Sequence, residues 1–149
     1  MTRLLQFAAG LAFAAALTLP AIVRASEPDD VIEYRKNIMK TLGAQAAALN
    51  ATLQGKAPAE SFTLHAQVLA IAASEALIAF TPKVEGGDSK PEVWAKWDDF
   101  SKKMKEFAAN TADLAKTAEA GGAAAAQPKM QGALTCKGCH DTYRQPLKK

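Results

Sequence analysis

Cys136-Lys137-Gly138-Cys139-His140 places two thiols three positions apart, with an imidazole beside the second. Two thiols so close can add across the two vinyl groups of a haem, and the adjacent histidine can give a ring nitrogen to its iron. In a helix, steps of three and four residues share a face, so Cys136, Cys139 and His140 would all address one plane of the porphyrin. Other chemistries need partners that are not there. A closed zinc site takes four Cys/His-type ligands, and the chain has two cysteines and one further histidine, His65. A thioredoxin-like pair follows a strand in a βαβ unit, and no alternating strand pattern of useful length appears. A disulfide between Cys136 and Cys139 would close so short a loop that it stabilises little. The motif predicts one covalently attached haem c near the C-terminus.

The start of the chain points to the same compartment. Met1-Thr2-Arg3 precedes an apolar run from Leu4 to Val23, and Val23-Arg24-Ala25 offers a peptidase cleavage site after Ala25. Residues 1–25 read as a cleaved signal peptide rather than a retained anchor, because Gly10, Pro20 and the Ala25 site favour removal. Haem attachment of this kind takes place outside the bacterial cytoplasm, so a periplasmic location is expected. Residues 26–149 then form one domain. The net charge of +3 includes Arg3 and Arg24. Without them little excess remains, no basic stripe for nucleic acid is present, and no membrane association is expected after cleavage.

The elements that position the motif read as four helices. Pro28, Asp29 and Asp30 suit a helix start. Val31, Ile38, Leu42, Leu49 and Leu53 follow at three-four spacing, with Ile32, Met39 and Ala46 on the adjacent edge. Gly55 and Pro58 stop this helix. A second runs from about Ala59 to Phe80. Its apolar face is wide, with Leu64, Val68, Ile71 and Ile78 on one stripe and Phe62, Leu69, Ala73 and Leu77 around them. Such width predicts burial on more than one side, including against another subunit. After a loop from Lys83 to Lys90, Trp94, Trp97, Phe100, Met104, Phe107, Thr111, Leu114 and Ala118 mark a third helix, whose aromatic stripe reads as core. Gly121-Gly122 ends it. A last helix holds Met130, Leu134, the haem motif and Tyr143. The expectation is all-α: an antiparallel four-helix bundle with covalently bound haem c.

At three stretches the chain resembles the class II c-type cytochromes, the family of cytochrome c′ and cytochrome c-556. They are Glu33-Tyr34-Arg35-Lys36-Asn37-Ile38-Met39-Lys40, then Glu85-Gly86-Gly87-Asp88-Ser89-Lys90-Pro91-Glu92-Val93-Trp94, and finally Cys136-Lys137-Gly138-Cys139-His140-Asp141-Thr142-Tyr143-Arg144. The resemblance implies that His140 is the proximal iron ligand and that Cys136 and Cys139 are thioether anchors. It also implies that Arg35 lies near the haem propionates and Arg144 near the proximal face, although either arginine could instead be a solvated surface charge. Met39 matches the first-helix position facing the distal side.

Function turns on Met39. Ligated to iron, its sulfur gives a six-coordinate haem suited to electron transfer with redox partner proteins. Packed over the ring, it leaves a five-coordinate iron open to a diatomic gas such as CO or NO, in a gas-binding or nitric-oxide-handling protein. The ligand reading is preferred, with Met104 and Met130 explained as core and His65 as a polar neighbour. Enzyme chemistry is not expected, since Ile38, Met39 and Leu42 offer no acid–base groups. A homodimer through the first two helices is implied by the resemblance.

Overall fold

The computed structural model describes residues 27–146; the expected signal peptide lies outside them. Helix α1 spans Pro28–Leu53, with Pro28 at its start and Asp29 and Asp30 in its first turn, where a fixed φ and negative charge suit the exposed N–H groups. It ends as Gly55 takes φ +68°. Helix α2 spans Phe62–Ala76, flanked by 3₁₀ turns at Ala59–Ser61 and Ile78–Phe80. A short α3, Glu92–Ala95, leads into the long α4, Trp97–Ala126, which is broken at Gly122 (φ 68°). Two short helices follow: α5, Met130–Ala133, and α6, Cys136–Tyr143.

The architecture is the expected all-α antiparallel four-helix bundle, with α5 and α6 as a broken fourth arm. α2 packs against α1 on one side and α4 on the other. Its inward face is Phe62, Ala66, Leu69, Ala73 and Ala76, all essentially without solvent contact. Four small or medium residues let neighbouring helices approach closely, and Phe62 fills the end of the layer. Thr111 is fully buried in α4, yet its hydroxyl donates to the carbonyls of Phe107 and Ala108, each at 3.0 Å, so no polar atom is stranded.

Two details differ from the sequence expectation. The leading stripe of the second helix faces outward: Leu64 is 59%, Ile71 66% and Ile78 57% exposed. The alanines, weakly hydrophobic one by one, hold the inner face instead. The last helix is also not continuous. Leu134 (φ −101°, ψ 51°) and Thr135 (φ −77°, ψ 30°) leave the helical region, so α6 starts afresh at Cys136 and can turn its motif independently of α5.

Candidate haem site

All six nominated residues line one cavity of about 670 Å³, inside the range of roughly 300–1,000 Å³ usual for small-molecule sites. They come from three parts of the chain. α1 contributes Arg35 and Met39, α6 contributes Cys136, Cys139 and His140, and Arg144 follows α6 directly. The α1 wall is mainly the adjacent edge of its three-four pattern: Ile32, Met39 and Ala46 line the cavity together with Leu42 of the main stripe, whose other members Val31 and Leu49 are buried. Opposite, α4 supplies Phe100, Met104 and Phe107, and α2 adds Leu69 to this largely apolar lining. The aromatic stripe expected as core thus has a second role as cavity wall. Its three-four spacing on a helix facing α1 was the available clue.

His65 stands apart. Its Nδ1 lies 2.8 Å from Oε1 of Gln45, and it is not among the residues around the cavity.

Arg35 is the most constrained charge in the site. It is 3% exposed, and its Nη1 donates to the Val84 carbonyl at 2.6 Å. Its guanidinium carbon lies 5.0 Å from the Phe80 ring centre and 5.3 Å from that of Trp94, both within cation–π range. Burial lowers its pKa. Its Nη2 is buried with no hydrogen-bond partner among the described residues. A buried cation with an unpaired donor beside a cavity is costly unless an anion meets it there.

The loop after α2 closes the edge of the site. Gly86 (φ +114°) and Gly87 (φ +63°) press so closely on Ile32 that a Cβ at Gly87 would stand 2.8 Å from its Cγ2. The same loop holds the end of the chain. The Lys90 amide donates to the Tyr143 carbonyl at 2.9 Å, and the Gln145 amide to the Asp88 carbonyl at 2.8 Å. Arg144 is thereby set in an isolated bridge with Ser89.

Within α6, Cys136 and Cys139 are free thiols, the first exposed and the second half-buried. Burial pushes the Cys139 thiol up. His140 is half-buried, and its pKa is lowered first by burial and next by the charge of Arg144, with Asp141 opposing. A neutral imidazole is the form that binds a metal. Two free thiols, a neutral imidazole, apolar walls and an unpaired guanidinium donor fit a flat apolar macrocycle carrying carboxylates.

The comparisons agree with this geometry. Residues 30–144 match the family profile described as Cytochrome C′. Cytochrome c′ of Pararhodospirillum photometricum is 37% identical over 130 residues, covering 80% of this chain and 100% of the relative. Cytochrome c′ of Alcaligenes xylosoxydans xylosoxydans is 30% identical over 127 residues, covering 80% and 97%. Cytochrome c-556 of Agrobacterium tumefaciens is 29% identical over 116 residues, covering 76% and 95%. Among solved structures, the nitric oxide complex of a variant of cytochrome c prime from Alcaligenes xylosoxidans superposes with a TM-score of 0.73 at 28% identity, covering 83% of this chain and all of that one. The chain belongs to the cytochrome c′ family, whose members carry a covalently bound haem c.

Proposed function

We propose that this chain is an exported, periplasmic monohaem cytochrome that carries electrons between redox partner proteins. Cys136 and Cys139 would hold the haem by thioether bonds, with His140 as the proximal ligand and Met39 as the distal one. The convergence of these residues, from helices far apart in sequence, on one apolar cavity carries the reading. When bound, the haem supplies a one-electron couple, and Met/His ligation raises its potential.

The chain's own residues bind, orient and exclude water. The depressed pKa of His140 keeps its nitrogen free of a proton. Arg35 offers its unpaired Nη2 to a haem carboxylate, and Arg144 supports the proximal side. Ile32, Leu69, Phe100 and Phe107 keep the surroundings apolar, which tunes the potential of a buried redox group. The role is that of a carrier rather than an enzyme. A homodimer through α1 and α2 accounts for the outward Leu64, Ile71 and Ile78, with Tyr34 of α1 also exposed at 46%.

A second reading has its own support: several of the similar solved structures are nitric oxide complexes of cytochrome c prime. In that case Met39 packs without bonding iron and a diatomic gas is the ligand. Absorption spectra of the oxidised and reduced protein, before and after CO, separate the two. With Met39 as ligand the haem is low-spin and ignores CO, and Met39→Ala turns it high-spin and CO-binding. A wild-type spectrum already high-spin, or one unchanged by Met39→Ala, overturns the ligation and makes gas binding the function.

A further inference from the structure

Tyr143 is 3% exposed, lines the cavity and sits one turn after His140. Its hydroxyl donates to a carboxylate oxygen of Asp99 on α4. Its ring meets Phe100 edge-on, with centres 5.2 Å apart. The Asp99 side chain is 54% exposed and lies 3.8 Å from the Lys103 ammonium, so a proton reaching it has a way to solvent. Burial, then the bond to Asp99, pushes the Tyr143 pKa up to about 12. The phenol is therefore neutral at ordinary pH, and losing an electron must also release its proton. The acceptor is already in place.

We propose that Tyr143 and Asp99 form a proton-coupled one-electron donor to the haem pocket, which discharges oxidising equivalents left there by hydrogen peroxide. Two electrons, with two protons drawn from solvent, bring both peroxide oxygens to the oxidation level of water. A bound haem would give one electron and stay oxidised by one equivalent. The other comes from Tyr143: its phenolic O–H bond breaks, the proton forms a new O–H bond on Asp99, and the ring is left as a neutral phenoxyl radical. Peroxide consumption itself is slow, because the α1 wall carries no distal acid–base pair. The pair decides where the damage goes, sparing the macrocycle. The other tyrosine, Tyr34, is surface-exposed and not among the cavity residues, so it serves as the internal control.

The test is freeze-quench electron paramagnetic resonance of the ferric holoprotein mixed with hydrogen peroxide, with peptide mass mapping of the products. A tyrosyl signal is expected in the wild type and in Tyr34→Phe, with oxidation mapped to Tyr143. Tyr143→Phe, which keeps the ring and its packing, should lose the signal and bleach its haem faster. Asp99→Asn keeps the hydrogen-bonding shape without a comparable proton acceptor. It should slow radical formation by about a hundredfold, the low end for a positioned base, and Asp99→Glu should restore it. The proposal fails if the wild type bleaches without a tyrosyl signal or if the signal survives Tyr143→Phe. It also fails if Asp99→Asn forms the radical at the wild-type rate. A Met39 ligand that keeps CO off the iron would keep peroxide off as well, so the same variants are also made in a Met39→Ala background, where peroxide reaches the haem under either reading. A Met39→Ala protein that bleaches without a tyrosyl signal overturns the proposal, separately from the role of Met39.

Discussion

Replacing Arg35 with methionine tests whether the cavity is built for an anionic cofactor. The variant keeps an unbranched apolar stem and removes the guanidinium. In the wild type, the charge-assisted bond to the Val84 carbonyl is worth about 1.5–3 kcal/mol. The two ring contacts add roughly 0.5–1 kcal/mol each. Against these stands the desolvation of a buried guanidinium, several kcal/mol. With Nη2 unpaired the two sides nearly cancel, and Arg35→Met would leave stability unchanged. A haem carboxylate on Nη2 adds a second charge-assisted bond of about 1.5–3 kcal/mol, and that amount is what the variant loses. In a domain of this size the loss corresponds to a fall in Tm of roughly 6–12 °C. Thermal melts of the holoprotein, followed by haem absorbance and by circular dichroism, measure it. Arg35→Lys should recover less than half, because one ammonium cannot reproduce the planar fork that serves the carbonyl and a carboxylate together. An Arg35→Met holoprotein that melts with the wild type or above it refutes the reasoning.

Three further expectations follow from the geometry. Gly87→Ala forces a Cβ onto a left-handed position and into Ile32, and should cost about 1–3 kcal/mol, read from the urea midpoint. Tyr143→Phe should change the alkaline end of the stability profile. The phenol's pKa is raised from 10.0 to about 12, so its contribution is whole below the unfolded value and fades as pH rises through the folded one. The variant should be flatter across that interval in Tm against pH, and an equally steep fall would contradict the assignment. Ile71→Glu places a charge on the most exposed of the outward apolar residues. It should convert a dimer to a monomer in sedimentation while leaving the haem spectrum unchanged, and a dimer that survives would place the interface elsewhere.

Much of the proposed haem site was legible because its chemistry is local. To meet one macrocycle, Cys136, Cys139 and His140 would have to be neighbours in sequence, and their spacing carries that requirement openly. The cavity wall on α1 could also be read, since Ile32, Met39 and Ala46 keep step along an edge beside the buried stripe. The cavity-facing part of α4 could not be told from core, because Phe100 and Met104 serve both protein and cavity with the same apolar surface. The direction of α2 was hidden for another reason. Its inner face is mostly alanine, so its larger aliphatic residues, though outward, dominate any hydropathy reading. The break before α6 carries neither glycine nor proline at Leu134 or Thr135. Helix propensity at these two positions does not announce it. The bond between Tyr143 and Asp99 joins residues 44 positions apart, and nothing in either one's neighbours announces it.

The loop from Lys83 to Lys90 is tied to both ends of the domain at once. Arg35 reaches Val84 across 49 residues, and the Lys90 side chain reaches the Asp141 carbonyl across 51. Contacts between α2 and α4 span as far, with the Thr63 hydroxyl reaching the Ala118 carbonyl across 55 residues, so neither the layers nor the loop is local in sequence. By joining α1 to α6 the loop fixes the spacing of two cavity walls, a restraint separate from the packing of α2 against α4.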